Sequence, residues 1–102
     1  NTKALFNVYK SSKINLANNN HGIGMHSRNL ECIMAGGFLM YHESENDKKK
    51  GGFSTEFEPN VDYGIYNNEN LTEIGKYWLE NKELRKKCII NDRYFILFLI
   101  FL

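Results

Sequence analysis

GIGMHSRNLECIMAGGFLMYH, residues 22 to 42, is the stretch that decides the fold. It opens with a glycine loop, and residues 27–35 that follow have the amphipathic spacing of a short helix. Gly36 and Gly37 then predict the end of that helix, where a positive φ is needed. The continuous apolar run 38–42 predicts a strand that is covered on both faces. The stretch therefore predicts a loop, a helix and a buried strand in succession.

Further elements are predicted on both sides of this stretch. Hydrophobic periodicity predicts the other helices at 3–11, 69–81 and 82–91, and the other strands at 13–17 and 61–66. Asn68 is the predicted N-cap of the helix that follows it. The segment 43–52 is predicted to be a solvated polar loop. The predicted inward faces of the four helices consist of Leu5, Val8 and Tyr9; Leu30, Ile33 and Met34; Leu71, Ile74 and Trp78; and Leu84, Cys88 and Ile89.

The order of these elements indicates an α/β fold. Strands that alternate with helices over short connections form parallel sheets with helices on their faces. Three such strands correspond to half of a doubly wound, Rossmann-like domain. We expect residues 1–91 to form this partial domain and residues 92–102 to be an apolar tail. The tail is open to three interpretations, namely a buried strand, the start of a membrane segment and an out-of-frame end, of which the first and last are favoured.

Composition narrows the classes of function. The chain has 102 residues, 42% of them hydrophobic and 25% charged, with a formal net charge of +1, which is ordinary for a globular protein. This charge favours neither nucleic acid nor an anionic membrane as a partner. Residues 94–102 are too few for an integral membrane span, which takes about 20 residues. Cys32 and Cys88 are predicted to be buried, reduced packing residues, which favours a cytoplasmic location. The chain begins with Asn1 in mid-pattern, so we expect it to be a fragment.

The loop and the helix start at residues 22–31 favour binding of a phosphate. The amino end of a helix offers free N–H groups to an anion, and Arg28 adds a bidentate cation. Gly22 and Gly24 allow the backbone to approach a ligand closely. Glu31, one turn later, can accept hydrogen bonds from sugar hydroxyls. This combination is suited to a sugar nucleotide.

Each of these residues also has a structural interpretation. Glu31 is compatible with a helix surface near the positive end of the dipole, and Arg28 with a salt bridge to Glu31 or Glu43. Ser27 fits a helix cap as well as a phosphate contact. His21 and its neighbour Asn20, on the same loop, are weaker candidates for ligand contacts.

The sequence resembles the C-terminal, donor-binding domain of GT-B type glycosyltransferases, in particular the spore-maturation glycosyltransferase-like group of the family 1-like enzymes. Residues 11–16 (SSKINL) are similar to the strand motif x-S-K-I-x-L-N. Residues 28–39 (RNLECIMAGGFL) are similar to R-x-F-E-x-x-A-x-G-G-F-L. Residues 57–66 resemble F-x-P-G-x-x-x-x-Y, and the stretch from Asn70 to Arg85 resembles the helix pair E-L-x-x-x-I-x-Y-x-L-x-x-x-x-x-R. The resemblance covers about residues 3–91.

Three departures from the motifs accompany the resemblance. Leu30 replaces the usual Phe, Asn60 stands where the family prefers Gly, and the apolar tail Ile96–Leu102 matches nothing in the family pattern. The N-terminal, acceptor-binding domain of such enzymes is absent from this chain.

The resemblance implies that the chain binds a nucleotide-sugar donor for transfer of the sugar to an acceptor hydroxyl. In that case Glu31 would contact the ribose hydroxyls and Arg28 the diphosphate, with Gly22, Gly24, Ser27 and His21 around them. The missing N-terminal acceptor domain would supply the acceptor site and any catalytic base, so we expect the isolated chain to be inactive. Relatives of this type generally work without a bound metal.

No other chemistry is indicated by the sequence. His21, His26 and His42 fit no metal-binding spacing, and His42 is expected to be structural, so neither a metal site nor a cofactor is predicted. Two alternatives to a glycosyltransferase fragment stay open. One is a non-catalytic module that binds a nucleotide or sugar, and the other is a degenerate interaction domain whose apolar tail docks on a partner.

Overall fold

The computed structural model describes residues 2–18, 27–49 and 52–100. Five α-helices and three strands lie in these ranges. The helices are α1 (Thr2–Ser11), α2 (Ser27–Met34), α3 (Phe53–Glu56), α4 (Leu71–Glu80) and α5 (Lys82–Ile100). The strands are β1 (Asn15–Ala17), β2 (Leu39–His42) and β3 (Gly64–Tyr66), and a 3₁₀ turn covers Glu45–Lys48.

The three strands form one parallel sheet in the order β1-β2-β3. Leu16 faces Met40 across the first pair, and Tyr41 faces Ile65 across the second. The sheet is open and flanked by helices, as expected for half of a Rossmann-like fold. The predicted fold class is therefore confirmed.

The central strand β2 separates two hydrophobic cores. Leu39 and Tyr41 belong to the first core, together with residues of α2, α3 and the segment before β3. Met40 belongs to the second core, in which Phe38 packs on Trp78 of α4 with ring centroids 4.8 Å apart. Successive side chains of a strand point to opposite faces, so an unbroken apolar run needs a core on each side. The predicted burial of this strand on both faces is confirmed.

The helix α2 ends at the glycine pair, as predicted. Gly36 has φ +81°, a left-handed conformation that glycine adopts without steric cost. Gly37 is needed for a different reason, because a Cβ there would lie 2.7 Å from the carbonyl oxygen of Tyr9. The turn thus allows α2 to approach α1 and β2 closely.

The inward faces of α1 and α2 are rotated from the predicted ones. Met34 was expected in the buried stripe of α2 but is 61% exposed, and Cys32 takes its place beside Ile33. In α1, Tyr9 packs on the first core, whereas Leu5 and Val8 are exposed. The backbone therefore turns a polar residue of α2, Asn29, towards the interior.

The crossover from β2 to β3 contains a short helix that was not predicted. Phe53 and Phe57, at the two ends of α3, are buried and stacked with centroids 4.9 Å apart. The following turn places Asn60 at φ +66°. Asn tolerates this left-handed conformation, which Gly adopts most easily, and this explains why Asn can occupy a position where the resembling family prefers Gly.

The last two helices cover the second core. Arg85 of α5 is buried, and its guanidinium donates hydrogen bonds to the carbonyl oxygens of Trp78 and, at 2.9 Å, Leu79. These bonds satisfy carbonyls that the last turn of α4 leaves without helical partners. Leu71, expected on the inward face of α4, is partly exposed instead.

The helix α5 continues beyond the predicted end at residue 91. Cys88 lies in the second core, the side-chain amide of Asn91 donates to the carbonyl oxygen of Val61 at 3.0 Å, and Arg93 lies against Gly36. The helix thus crosses the amino edge of the sheet and reaches α2. Its backbone is helical to Ile100, so the strand interpretation of the tail is wrong.

We expect Gly37→Ala to destabilise the fold by about 1–3 kcal/mol, the usual cost of overpacking. The added Cβ would contact Asn15 Nδ2 at 2.9 Å and Cys32 Sγ at 3.1 Å, besides the Tyr9 carbonyl. The matched control is Gly75→Ala in α4, whose Cβ would meet only Met40 Cε at 3.9 Å. That change should stabilise the helix by about 0.5–1 kcal/mol. Urea denaturation checks both values, and equal effects at the two glycines would contradict the packing at Gly37.

A buried carboxyl group lies where α5 crosses the sheet edge. Asp92 is 1% exposed, and neither carboxyl oxygen has a hydrogen-bond partner. Burial, and then the nearby charge of Asp62, raises the pKa of Asp92 to about 8. Burial and Asp92 likewise raise the pKa of the free thiols Cys32 and Cys88 to about 12. These two cysteines are thus buried free thiols, as predicted.

The raised pKa of Asp92 predicts a pH-dependent stability. Between about pH 4 and pH 8 the carboxyl is ionised in the unfolded chain but protonated in the folded one, so the free energy of unfolding falls as pH rises. Asp92→Asn removes this term, so its stability relative to the wild type should increase across that window by about 1.4 kcal/mol per pH unit, which is on the order of 5 kcal/mol at the upper end. Thermal unfolding from pH 4 to pH 9 measures the difference. A constant difference between the two proteins at every pH would refute the buried, protonated state.

Candidate functional site

The carboxyl edge of the sheet is the place where a ligand is expected. Because the strands are parallel, their carboxyl ends at Ala17, His42 and Tyr66 lie along one edge. Open α/β sheets bind ligands outside this edge. The helix α2 follows β1 in the chain and returns across the sheet to β2, so its amino end lies at the same edge.

Side-chain contacts join the three strand ends. The Tyr66 hydroxyl donates to the carbonyl oxygen of Ala17 at 3.3 Å, and the Tyr66 ring meets His42 edge-on with centroids 5.2 Å apart. The N–H of Glu43 donates to the carbonyl oxygen of Tyr66 at 2.7 Å. Burial raises the pKa of the Tyr66 phenol, which keeps the hydroxyl protonated as a donor. These contacts connect all three strand ends at the carboxyl edge.

His42 joins this edge to the loop before α4. Its Nδ1 lies 2.7 Å from the carbonyl oxygen of Glu43, and its Nε2 lies 2.9 Å from Asn68 Oδ1. A carbonyl only accepts hydrogen bonds, so the hydrogen of that first bond is on Nδ1. Nε2 then accepts from the Asn68 carboxamide, whose nitrogen and oxygen are interchangeable in position and whose NH₂ group is the donor. Both ring nitrogens are engaged, and the predicted structural role of His42 agrees with this arrangement.

The loop after β3 is held by asparagine side chains. Asn70 Oδ1 accepts from the N–H of Asn67 at 2.7 Å, and Asn67 Oδ1 accepts at 2.9 Å from the N–H groups of Glu69 and Asn70. The N-cap position of α4 is Asn70, whose side chain makes no cap bond. The predicted N-cap at Asn68 is therefore wrong, because the side chain of Asn68 is directed to His42 instead.

The residues predicted to bind a phosphate are only partly covered by the structure. The backbone of Ser27 and Arg28 forms the first turn of α2, and Glu31 follows one turn later with its side chain half-buried. The side chains of Ser27 and Arg28 lie outside the described part of the structure. His21, Gly22 and Gly24 lie outside it altogether, as does Asn20. The structure thus places the start of α2 at the carboxyl edge, and the grouping of the six residues stays a prediction.

Asn29, on the first turn of α2, was not singled out from the sequence. Its side chain is fully buried, with 0% exposure, and neither Nδ2 nor Oδ1 has a hydrogen-bond partner. The signal for it in the sequence is its spacing, since Asn29 precedes the buried residues Cys32 and Ile33 by three and four positions. A polar residue on a core-facing stripe needs an explanation.

The opposite, amino edge of the sheet borders a mainly apolar cavity. An open cavity of about 570 Å³ lies there between the turn before β3 and the last two helices, lined mainly by apolar residues such as Ile74, Tyr77 and Trp78.

Across residues 2–18, 27–49 and 52–100, no three His, Cys, Asp or Glu residues come together to hold a metal ion. In the same ranges no helix combines the length and the apolar character that a membrane crossing requires.

Comparison with known proteins identifies the family. A family model described as glycosyl transferase-like matches residues 1–97. The chain belongs to this glycosyl transferase-like family. No curated protein and no solved structure matches it. The resemblance inferred from the motifs is thereby confirmed at the level of the family, and the match includes the parallel sheet and the start of α2.

The contact between His42 and Asn68 can be measured by a double-mutant cycle. We expect His42→Phe, which keeps an aromatic ring beside Tyr66, and Asn68→Ala to couple by about 0.5–1.5 kcal/mol, the net value of one hydrogen bond. Urea denaturation of the wild type, the two single variants and the double variant gives the coupling energy. Strictly additive effects would show that the two side chains do not interact.

Proposed function

We propose that this chain is the donor-binding part of a glycosyltransferase, which binds a nucleotide-diphosphate sugar for transfer of the sugar to an acceptor hydroxyl. The observation that supports this most is the position of α2, whose amino end lies at the carboxyl edge of a parallel sheet in a glycosyl transferase-like chain. This is the edge at which related α/β folds hold phosphate groups.

The diphosphate would bind at the first turn of α2. The first N–H groups of a helix have no partners within the helix, and the macrodipole favours negative charge there. Arg28 lies on this turn. A cation at the amino end of a helix is unfavourable to the dipole, and a bound anion would offset that cost. A guanidinium also matches the paired oxygens of a phosphate.

Glu31 would bind the ribose. It lies three residues after Arg28 on the same helix, and its side chain is half-buried. A carboxylate has two acceptor oxygens, which suit the two neighbouring hydroxyls of a ribose. Its position one turn further from the helix start would place the sugar hydroxyls beside the diphosphate.

The chemical contribution of this part would be to stabilise the leaving group. As the bond to the sugar breaks, negative charge develops on the diphosphate, and fixed donors aimed at that charge lower the barrier. The helix N–H groups and Arg28 would supply these donors. The acceptor site and any general base would belong to an N-terminal acceptor domain.

Titration of UDP-glucose and GDP-mannose by calorimetry tests this proposal. We expect one of the two to bind, and Arg28→Ala and Glu31→Ala each to weaken its binding about tenfold or more, since hydrogen bonds to charged groups are worth about 1.5–3 kcal/mol. The matched controls are Arg93→Ala, at the opposite edge of the sheet, and Glu73→Ala on the exposed side of α4. Both controls should bind like the wild type.

Two results would contradict the proposal, one at the level of the site and one at the level of the function. If Arg28→Ala and Glu31→Ala are folded and bind as tightly as the two controls, the proposed site is wrong. If the wild type binds neither nucleotide sugar, the proposed function itself is contradicted.

A further inference from the structure

A basic cavity lies at the amino edge of the sheet, beside the first turns of α5. It has a volume of about 210 Å³ and is bordered by the end of α1, the glycine turn after α2 and one side of α5. Five of the chain's 13 lysine and arginine residues line it, although the net charge of the chain is only +1. They are Lys10, Lys13, Lys82, Arg85 and Lys86. Among the described residues, no carboxylate lines this cavity.

Neighbouring carboxylates do not neutralise these charges. Lys86 Nζ lies 3.7 Å from Glu83 Oε1, but both side chains are exposed, and such surface ion pairs are weak. In residues 2–18, 27–49 and 52–100, the other three lysines of the cavity form no ion pair. Like charges that line one cavity repel each other, so an anion bound among them would stabilise the folded protein.

The helix ends account for only some of the five cations. Lys10 and Lys13 lie at the carboxyl end of α1, where the helix dipole favours positive charge. Lys82, Arg85 and Lys86 lie on the first two turns of α5, where the dipole disfavours it. Arg85 has a structural role there, because it donates to carbonyl oxygens at the end of α4. The stability of α5 therefore gives no reason for Lys82 and Lys86.

Arg85 is the most buried of the five cations, with 8% exposure. Its Nη1 donates to the carbonyl oxygens of Trp78 and Leu79, whereas the three N–H groups on Nε and Nη2 make no hydrogen bond within the described part of the chain. The hydroxyl groups of Ser11 and Ser12, which also line the cavity, donate to carbonyl oxygens of α1. The donors open to a ligand are therefore the guanidinium and the lysines.

A phosphate group matches this set of donors. It carries a charge of about −1.5 to −2 at neutral pH and has three strong acceptor oxygens, whereas a carboxylate carries one charge on two oxygens. A guanidinium binds phosphate oxygens in pairs, and lysines bind phosphate as point charges. The cavity of about 210 Å³ has the volume of about seven water molecules at roughly 30 Å³ each, which suits a phosphate group and is too small for a whole nucleotide.

We propose that the basic cavity is a phosphate-binding site, separate from the nucleotide site at the carboxyl edge. Its ligand is inorganic phosphate or the phosphate monoester of a larger molecule, whose organic part would lie outside the cavity. The cavity contains no residue of the first turn of α2, so this inference does not rest on the proposed function.

Titration of the whole chain with inorganic phosphate at constant ionic strength tests the site. We expect the amide signals of Gly36, Phe38 and Lys82 to shift and saturate in NMR spectra, while those of the first turn of α2 stay unchanged. The melting temperature should rise by roughly 5–10 °C when phosphate reaches ten times its Kd. Shifts confined to α2, or no saturable shift in any signal, would overturn the proposal.

Two exposed lysines allow a test that does not disturb the core. Lys82→Gln and Lys86→Gln should each weaken phosphate binding about threefold or more, and the double variant about tenfold or more, since each change removes one charge-assisted contact. The matched control is Lys87→Gln, the next residue of α5, which lines the apolar cavity instead. That variant loses the same charge and should bind phosphate like the wild type. Equal weakening in Lys86→Gln and Lys87→Gln would show that only the overall charge matters, and the site would be refuted.

Two further measurements define the ligand. Acetate at the same ionic strength should shift the three amide signals far less than phosphate does, and an equal effect would reduce the cavity to an unselective positive surface and overturn the proposal. Sedimentation with phosphatidylcholine vesicles, with and without phosphatidic acid, distinguishes the two sources of phosphate. Binding that requires phosphatidic acid and is lost in the double variant identifies a lipid phosphate, whereas saturable binding of free phosphate without vesicle binding identifies a soluble ligand. Either result supports the site. The nucleotide-sugar titrations with Arg28→Ala and Glu31→Ala are unaffected by these outcomes, so the two proposals succeed or fail separately.

Discussion

Burial of β2 on both faces is the constraint on which the rest of the structure depends. Leu39 and Tyr41 require a core on one side of the sheet, and Met40 requires a core on the other. A three-stranded sheet cannot supply both cores alone, so helices must pack on each face. This requirement fixes β2 in the middle and makes both crossovers pass over the sheet, which gives the parallel arrangement.

The parallel arrangement gives the two edges of the sheet different properties. At the amino edge, α5 packs across the strands through Asn91, Arg93 and the residues of the second core. At the carboxyl edge, the strand ends are joined by side chains such as Tyr66 and His42, and the amino end of α2 faces the same way. One edge is thus closed by a helix, while the strand ends at the other edge are joined by polar side chains.

The elements with the strongest local signals could be predicted from the sequence. The apolar run at β2 and the glycine pair after α2 each follow from the chemistry of a few adjacent residues, and both were predicted correctly. The helix α3 was missed because its four residues are too few to show a period, and Phe53 and Phe57 are explained only by the core that they enter. The length of α3 and the burial of its aromatic residues depend on contacts with the whole fold, so four residues carry no local sequence signal for them.

The errors on helix faces have a related cause. In α2 the spacing of Leu30, Ile33 and Met34 fits one stripe, and the spacing of Asn29, Cys32 and Ile33 fits another that is rotated by part of a turn. Hydrophobicity favours the first stripe, but the close approach at Gly37 and the contact with α5 impose the second. A polar residue, Asn29, therefore lies inside, and its burial could not be recognised from hydrophobicity alone.

The late position of α5 in the chain has a consequence for synthesis on the ribosome. The sheet, α2 and α3 are complete once residue 66 has emerged, and the first core can then form. Phe38 and Met40 on the other face stay uncovered until α4 and the first turns of α5 follow. During that interval the nascent chain displays an aromatic and aliphatic surface, and this is the stage at which chaperones would be expected to engage it.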